Sequence, residues 1–182
     1  MVRAAGRLFA ERGYHGTSMR DLGRVLGLNG SSIYSHVDSK EDLLVDVVLR
    51  GAALFDEVAR RATDITPALD RLERLISGHI DVVLDHVDEA RTFLNEARSL
   101  ERNQRSTVVA ARDRYESEFR AAISLAIEEG TVPPTTDPKL GAIFTLSLLN
   151  AVDRWYREDG PLDRSSLVAE IMRFVRSGLG AV

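Results

Sequence analysis

The stretch Thr17-Ser18-Met19-Arg20-Asp21-Leu22-Gly23-Arg24-Val25-Leu26-Gly27-Leu28-Asn29-Gly30-Ser31-Ser32-Ile33-Tyr34-Ser35-His36-Val37 decides how this chain is read. Met19, Leu22, Val25 and Leu26 recur at helical spacing behind Thr17, a good N-cap, which predicts a helix over Ser18–Leu26. Gly27-Leu28-Asn29-Gly30 is a tight turn. Ile33 and Val37, four apart, are then the buried pair of a very short helix over Ser31–Val37. Two helices joined by a short glycine turn form a helix-turn-helix, whose second helix can enter a major groove. Ser31 and Ser35 share one face of it and Ser32 and His36 the next, small polar residues that allow close approach to base edges and phosphates.

Upstream, Ala5, Leu8 and Phe9 lie on one face of a helix over Val2–Arg12, which Gly13 stops. Downstream, Asp38-Ser39-Lys40-Glu41 is a capping box with Asp38 at the N-cap. It opens a long helix to Ala62 carrying Leu43, Leu44, Val47, Val48, Phe55 and Val58. The helix starts at Thr17-Ser18 and Ser39-Lys40 offer unpaired N–H groups to phosphates. Lys at a helix start is electrostatically misplaced, which a phosphate at Lys40 would explain. Further helices are expected over Thr66–His86, with Pro67 at its first position, and over Asp88–Leu100, Asn103–Glu129, Asp137–Glu158 and Asp163–Gly178. That makes nine helices and no strand pattern, an all-α chain.

Charge divides the chain where composition shifts, near residue 40. Residues 1–37 carry a net +3 from Arg3, Arg7, Arg12, Arg20 and Arg24 against Glu11 and Asp21, whereas the rest carries −7. A basic head on an acidic body suits an anionic partner for the head alone. The absence of cysteine excludes disulfide scaffolds, thiol catalysis and Cys-ligated metals. No uncharged run is longer than Leu140–Val152, which falls short of the ~18 residues of a membrane span. No signal peptide is evident at the start, so a cytoplasmic protein without membrane association is expected. There is no P-loop, GxSxG or dinucleotide-binding glycine turn, and His79 and His86, seven apart, miss the i,i+4 spacing of zinc ligands on one helix. The reading is therefore of a non-enzyme without cofactor or metal.

Ala4-Ala5, Leu8-Phe9-Ala10-Glu11-Arg12-Gly13-Tyr14-His15-Gly16-Thr17-Ser18-Met19-Arg20-Asp21-Leu22, Gly27-Leu28, Ile33-Tyr34, His36 and Ser39-Lys40-Glu41-Asp42-Leu43-Leu44 together resemble the TetR family of transcriptional repressors, almost position by position. The resemblance implies a nine-helix TetR-like architecture: a three-helix helix-turn-helix DNA-binding domain over 1–45 and a larger helical-bundle domain for effector binding and dimerisation over 46–182. It also implies a homodimer on a palindromic double-stranded operator, released by a small-molecule effector. By the family pattern Thr17 and Ser18 touch phosphate, Gly30, Ser31, Ser32 and Ser35 lie against the bases, and Tyr34, His36 and Lys40 contact the backbone. Gly30 and Ser31 stand where the family usually has Lys and Gly, Val37 where it has Phe, and with the first helix starting at Met1 the usual basic arm is not expected ahead of it. Fewer cations imply a shallower salt dependence.

The stretch Asn150–Leu162, with Asn95-Glu96-Ala97-Arg98 and Ile127-Glu128-Glu129-Gly130, resembles the acyl-CoA-responsive branch, which includes repressors of fatty-acid and sterol-ring breakdown. The resemblance implies an acyl-CoA thioester as effector, with Arg154 in its pocket. Phe93, Tyr115, Phe119 and Trp155 supply apolar area, and Arg98, Arg112 and Arg154 can meet phosphates or a carboxylate. Ile143, Phe144, Leu148, Leu149 and Val152, with Leu167, Ile171, Phe174 and Val175, form broad apolar faces on the last two long helices, suited to a four-helix dimer interface. The alternative is a dimeric helical ligand-binding or interaction protein whose head binds DNA weakly or no longer.

Overall fold

The computed structural model describes residues 1–28, 37–100 and 102–181, without the side chains of 97, 98, 102 and 103. The expected short helix over Ser31–Val37 lies largely outside the described residues. Among those described, eight helices of two turns or more and one single turn follow in order: α1 Val2–Arg12, α2 Met19–Leu26, α3 Lys40–Ala62, α4 Ala68–Asp85, α5 Val87–Asn95, α6 Arg102–Glu128, α7 Pro138–Leu149, α8 Val152–Trp155 and α9 Arg164–Leu179. A 3-10 turn over Glu96–Ser99 joins α5 to α6. None of these helices is long and apolar enough to cross a membrane.

The chain forms two compact units. The first comprises Met1–Leu54 and His86–Arg112. In it Ala5, Leu8 and Phe9 of α1, Leu22 of α2, Leu43, Leu44, Val47 and Val48 of α3, and Ala90 and Phe93 of α5 are buried. Helix α1 packs on α5 and α2. Helix α3 crosses α5 so closely at Gly51 that a Cβ there would lie 2.6 Å from the Glu89 carbonyl oxygen and 2.7 Å from the Phe93 Cβ. Only glycine permits that approach.

The second unit comprises Phe55–Asp85 and Asp113–Val182. Helix α4 is its centre and packs against α7, α8 and α9. Its apolar residues recur as Leu72, Leu75, Ile76, Ile80 and Val83, the stripe of a helix buried along one face. The Glu129 carboxylate accepts from the Ala68 N–H at 3.0 Å and so caps the start of α4. Arg164, at the start of α9, binds Asp81 and Asp85 of α4 at 3.2 and 2.8 Å and also Glu158.

Several expected boundaries move: the helix expected over Asp88–Leu100 ends at Asn95, and the one expected to hold Pro67 at its first position starts at Ala68. Ser18, not Thr17, is the N-cap of α2, because the Thr17 hydroxyl is turned inwards. The pair that opens α3 is Ser39 with Asp42, the Ser39 hydroxyl accepting from the Asp42 N–H at 3.0 Å, rather than Asp38 with Glu41. The helix expected over Asp137–Glu158 is broken: α7 ends at Leu149, and α8 is one turn over Val152–Trp155. At the break the Ala151 N–H bonds to the Leu148 carbonyl, tightening the last turn, and Val152 and Tyr156 are buried beyond it.

Candidate functional site

Three of the predicted DNA-contacting residues, Thr17, Ser18 and Lys40, meet around the turn between α1 and α2. Ser18 is exposed, and its hydroxyl accepts from the Asp21 N–H while the Asp21 carboxylate accepts from the Ser18 N–H, each at 3.1 Å. Hydrogen bonds from the Ser18 hydroxyl, then from its N–H, hold the Asp21 carboxyl below the usual carboxylate range. The end of α2 still presents the Met19 and Arg20 N–H groups, which no intrahelical carbonyl can take. Arg3, Arg12 and Arg20 are exposed and make no ion pair among the described residues, whereas Arg7 and Arg24 bind Glu11 and Asp21.

Thr17 is 1% exposed, its hydroxyl within 3.3 Å of the Leu8 carbonyl and 2.9 Å of the Gly13 carbonyl. The side chain anchors α2 to α1 and does not reach the surface. Lys40 directs two of its three N–H donors inside the protein, to the Tyr14 and Thr17 carbonyls, both at 2.9 Å. Its ammonium also lies 4.0 Å from the centre of the Tyr14 ring. Those two carbonyls explain a lysine at a helix start without a phosphate. From the other side, the Glu96 carboxylate accepts from the Tyr14 N–H at 3.3 Å and from the Ser99 hydroxyl at 3.0 Å. Sequence reasoning missed Tyr14 and Glu96, which are 82 positions apart. Gly30, Ser31, Ser32, Tyr34, Ser35 and His36 lie outside the described residues.

The predicted effector residues fall into separate groups. In the first unit Arg112 donates to the Phe93 carbonyl and stands 5.3 Å from the Phe93 ring centre, so it closes the end of α5. The Arg98 side chain is not among those described. In the second unit Tyr115 and Phe119 are buried, ring centres 5.4 Å apart, together with two residues sequence reasoning did not place there, Phe55 and His79. The period Leu72, Leu75, Ile76, His79 was the one signal that His79 faces inwards. Arg154 and Trp155 are exposed on α8, Trp155 by 49%, because the break after α7 takes them off that helix.

A third feature is the face of α7 and α9. Phe144 and Phe174 are 66% and 67% exposed and line one groove with Leu140, Leu148 and Val175. An apolar surface of this kind on a charged protein marks an interface.

Residues 2–47 match the family model described as bacterial regulatory proteins, tetR family, and residues 66–179 match the tetracyclin repressor-like C-terminal domain. The chain belongs to the TetR family. It is a ligand-responsive, DNA-binding transcriptional regulator, as the resemblance of its head implied. The HTH-type transcriptional repressor KstR2 of Mycobacterium tuberculosis is 28% identical over 184 residues, covering 98% of this chain and 90% of KstR2. AibR, solved in complex with isovaleryl coenzyme A and operator DNA, is 28% identical with a TM-score of 0.88, covering 95% of this chain and 94% of AibR. PfmR of Thermus thermophilus, a TetR family transcriptional regulator, is 29% identical with a TM-score of 0.87, covering 98% of this chain and 97% of PfmR. Ser18, Arg12 and Arg20 lie within the stretch that matches the tetR family model, and His79, Tyr115 and Phe119 within the stretch that matches the C-terminal domain.

Proposed function

We propose that this TetR regulator is a cytoplasmic, non-enzymatic repressor that holds a palindromic operator as a homodimer and leaves it on taking up an acyl-CoA thioester. Residues 1–45 read the DNA and residues 46–182 bind effector and partner subunit. The observation that carries the reading is the likeness, over nearly the whole of both chains, to AibR holding isovaleryl coenzyme A and operator DNA together.

In the head, Ser18, the first N–H groups of α2 and the exposed arginines meet phosphate, Gly30, Ser31, Ser32 and Ser35 are assigned to the bases, and Tyr34 and His36 to the DNA backbone. Thr17 and Lys40 support the platform from inside, with the third N–H of Lys40 left for the DNA backbone. In the effector domain the buried Tyr115 and Phe119 belong to the acyl end. Arg154 and Trp155 meet the anionic nucleotide end at the surface, on a helix that packs against α4. Leu140, Phe144 and Phe174 are covered by the partner subunit.

The test is binding of the purified protein to labelled DNA from upstream of its own gene, against scrambled DNA, at two salt concentrations, with acyl-CoA esters added. The expected result is a preference for the upstream DNA that weakens with salt and is abolished by a short-chain acyl-CoA. Retention of the DNA at saturating concentrations of every ester would overturn the effector assignment.

A further inference from the structure

The turn that presents Ser18 and the start of α2 is held by a residue 82 positions away. Helix α1 ends at Gly13 with φ 71 and ψ 166, not the left-handed geometry that folds the next N–H back onto its own helix. The Tyr14 N–H goes instead to Oε2 of Glu96 at 3.3 Å, while the Tyr14 carbonyl accepts from the Lys40 ammonium at 2.9 Å. Glu96 is half-buried; it ends α5 and opens the 3-10 turn Glu96–Ser99. A carboxylate is electrostatically misplaced at a helix C-terminus, and α5 has no basic residue in its last turn. The Ser99 hydroxyl steadies it by donating to the same Oε2 at 3.0 Å, and Oε1 lies 3.6 Å from where a Cβ on Gly13 would stand. A costly charge is thus kept at the end of one helix and spans to the backbone leaving another.

The turn that carries Glu96 is gripped from α6 as well. Arg112 of α6 donates to the Phe93 carbonyl in the last turn of α5, its guanidinium 5.3 Å from the Phe93 ring centre. Helix α6 is unbroken from Arg102 to Glu128 and further along carries Tyr115 and Phe119, buried aromatics of the second unit. A packed helix shifts as one body, so a displacement of α6 draws on the Phe93 carbonyl and on the turn that follows it. We infer that Glu96 is a positioning residue for operator binding: it carries the position of the α5–α6 turn to the Tyr14 N–H, and through Tyr14 sets the start of α2 against the DNA. The inference rests on operator binding by the head and ligand response by the chain, not on the identity of the effector. Without Glu96 the exit from α1 is held by Lys40 and Thr17 alone, which belong to the head and carry nothing from α6.

The test is a double-mutant cycle on the full chain, read as affinity for a duplex that the wild type selects from a random-sequence pool. Glu96→Ala is expected to weaken binding about tenfold, and Glu96→Gln, which still accepts from an N–H, to restore most of the loss. Arg112→Met should weaken binding about fivefold in the wild-type background and change nothing further in Glu96→Ala, because the link is already cut. Amide hydrogen exchange, measured without DNA, should quicken at residues 14–20 in Glu96→Ala and Arg112→Met while the other helices of the first unit keep their protection. Wild-type affinity in Glu96→Ala, a glutamine as weak as the alanine, or losses that simply multiply in the double variant would each overturn the inference. So would exchange that quickens across the whole unit, the mark of a merely structural residue. The exchange arm needs no operator and no coenzyme A, so it decides the link separately from release of DNA by acyl-CoA esters.

Discussion

Around the turn before α2, the buried polar groups find partners inside the protein: Thr17 on α1, Lys40 on the Tyr14 and Thr17 carbonyls, and Glu96 on the Tyr14 N–H. In the aromatic cluster of the second unit, His79 meets the Tyr115 hydroxyl at 3.3 Å and the Asn150 side chain, with the rings of Phe55 and Phe119 around it. The first arrangement preorganises a platform, since satisfied networks hold one geometry. The second buries a neutral imidazole among apolar rings.

The largest expected effect tests how firmly the platform is built. Gly51→Ala places a Cβ against the Glu89 carbonyl and Phe93, and should destabilise the protein by about 3 kcal/mol in urea unfolding. A change within experimental error would mean that α3 and α5 part easily. Lys40→Met should cost about 2 kcal/mol by removing two charge-assisted hydrogen bonds, and should weaken operator binding through the platform. The salt slope of binding decides how the lysine acts. A slope that falls by about 0.9 assigns its ammonium to a phosphate, and an unchanged slope leaves it a purely internal staple.

The buried histidine has its own signature in pH. The unfolded histidine titrates near 6.5, whereas burial holds the folded one to about 3. Between these values the unfolded chain binds a proton that the folded chain refuses. Stability is therefore complete above pH 6.5 and falls below it, by about 1.4 kcal/mol per pH unit. His79→Phe should lose that component, so the gap in melting temperature between the two proteins should change from pH 7 to pH 5. A constant gap would mean that His79 is hydrated. The smallest effect on the fold belongs to Arg154→Ala, under about 0.5 kcal/mol for an exposed side chain without an ion pair among the described residues. Operator binding should persist and release by acyl-CoA should be blunted. Unchanged release would remove Arg154 from effector recognition.

The head was legible because its signals are local. Gly13 and Gly27, at φ 71 and 65, end α1 and α2 where their lack of a side chain permits, and the apolar spacing between them needs no distant partner. The cap of α2 was misread by one residue because Thr17 and Ser18 are equally good caps. Only α1, lying beneath Thr17, draws one of the two hydroxyls inwards. The break after α7 carries no glycine or proline to announce it, so Arg154 and Trp155 read as part of one longer helix. His79 could be read as inward-facing, but its neighbour Tyr115 is 36 positions away.

The sequence by itself determined the helical class, the helix-turn-helix stretch, the basic head and the apolar face of α7 and α9. Each follows from backbone propensity, periodicity or charge, which act over a few residues. Tertiary structure alone decided that Thr17 and Lys40 turn inwards, that Glu96 reaches the Tyr14 N–H, and that His79 is buried against Phe55 and Tyr115. The cost of burying a polar group is set by the atoms packed around it, and those atoms come from positions far apart in the chain.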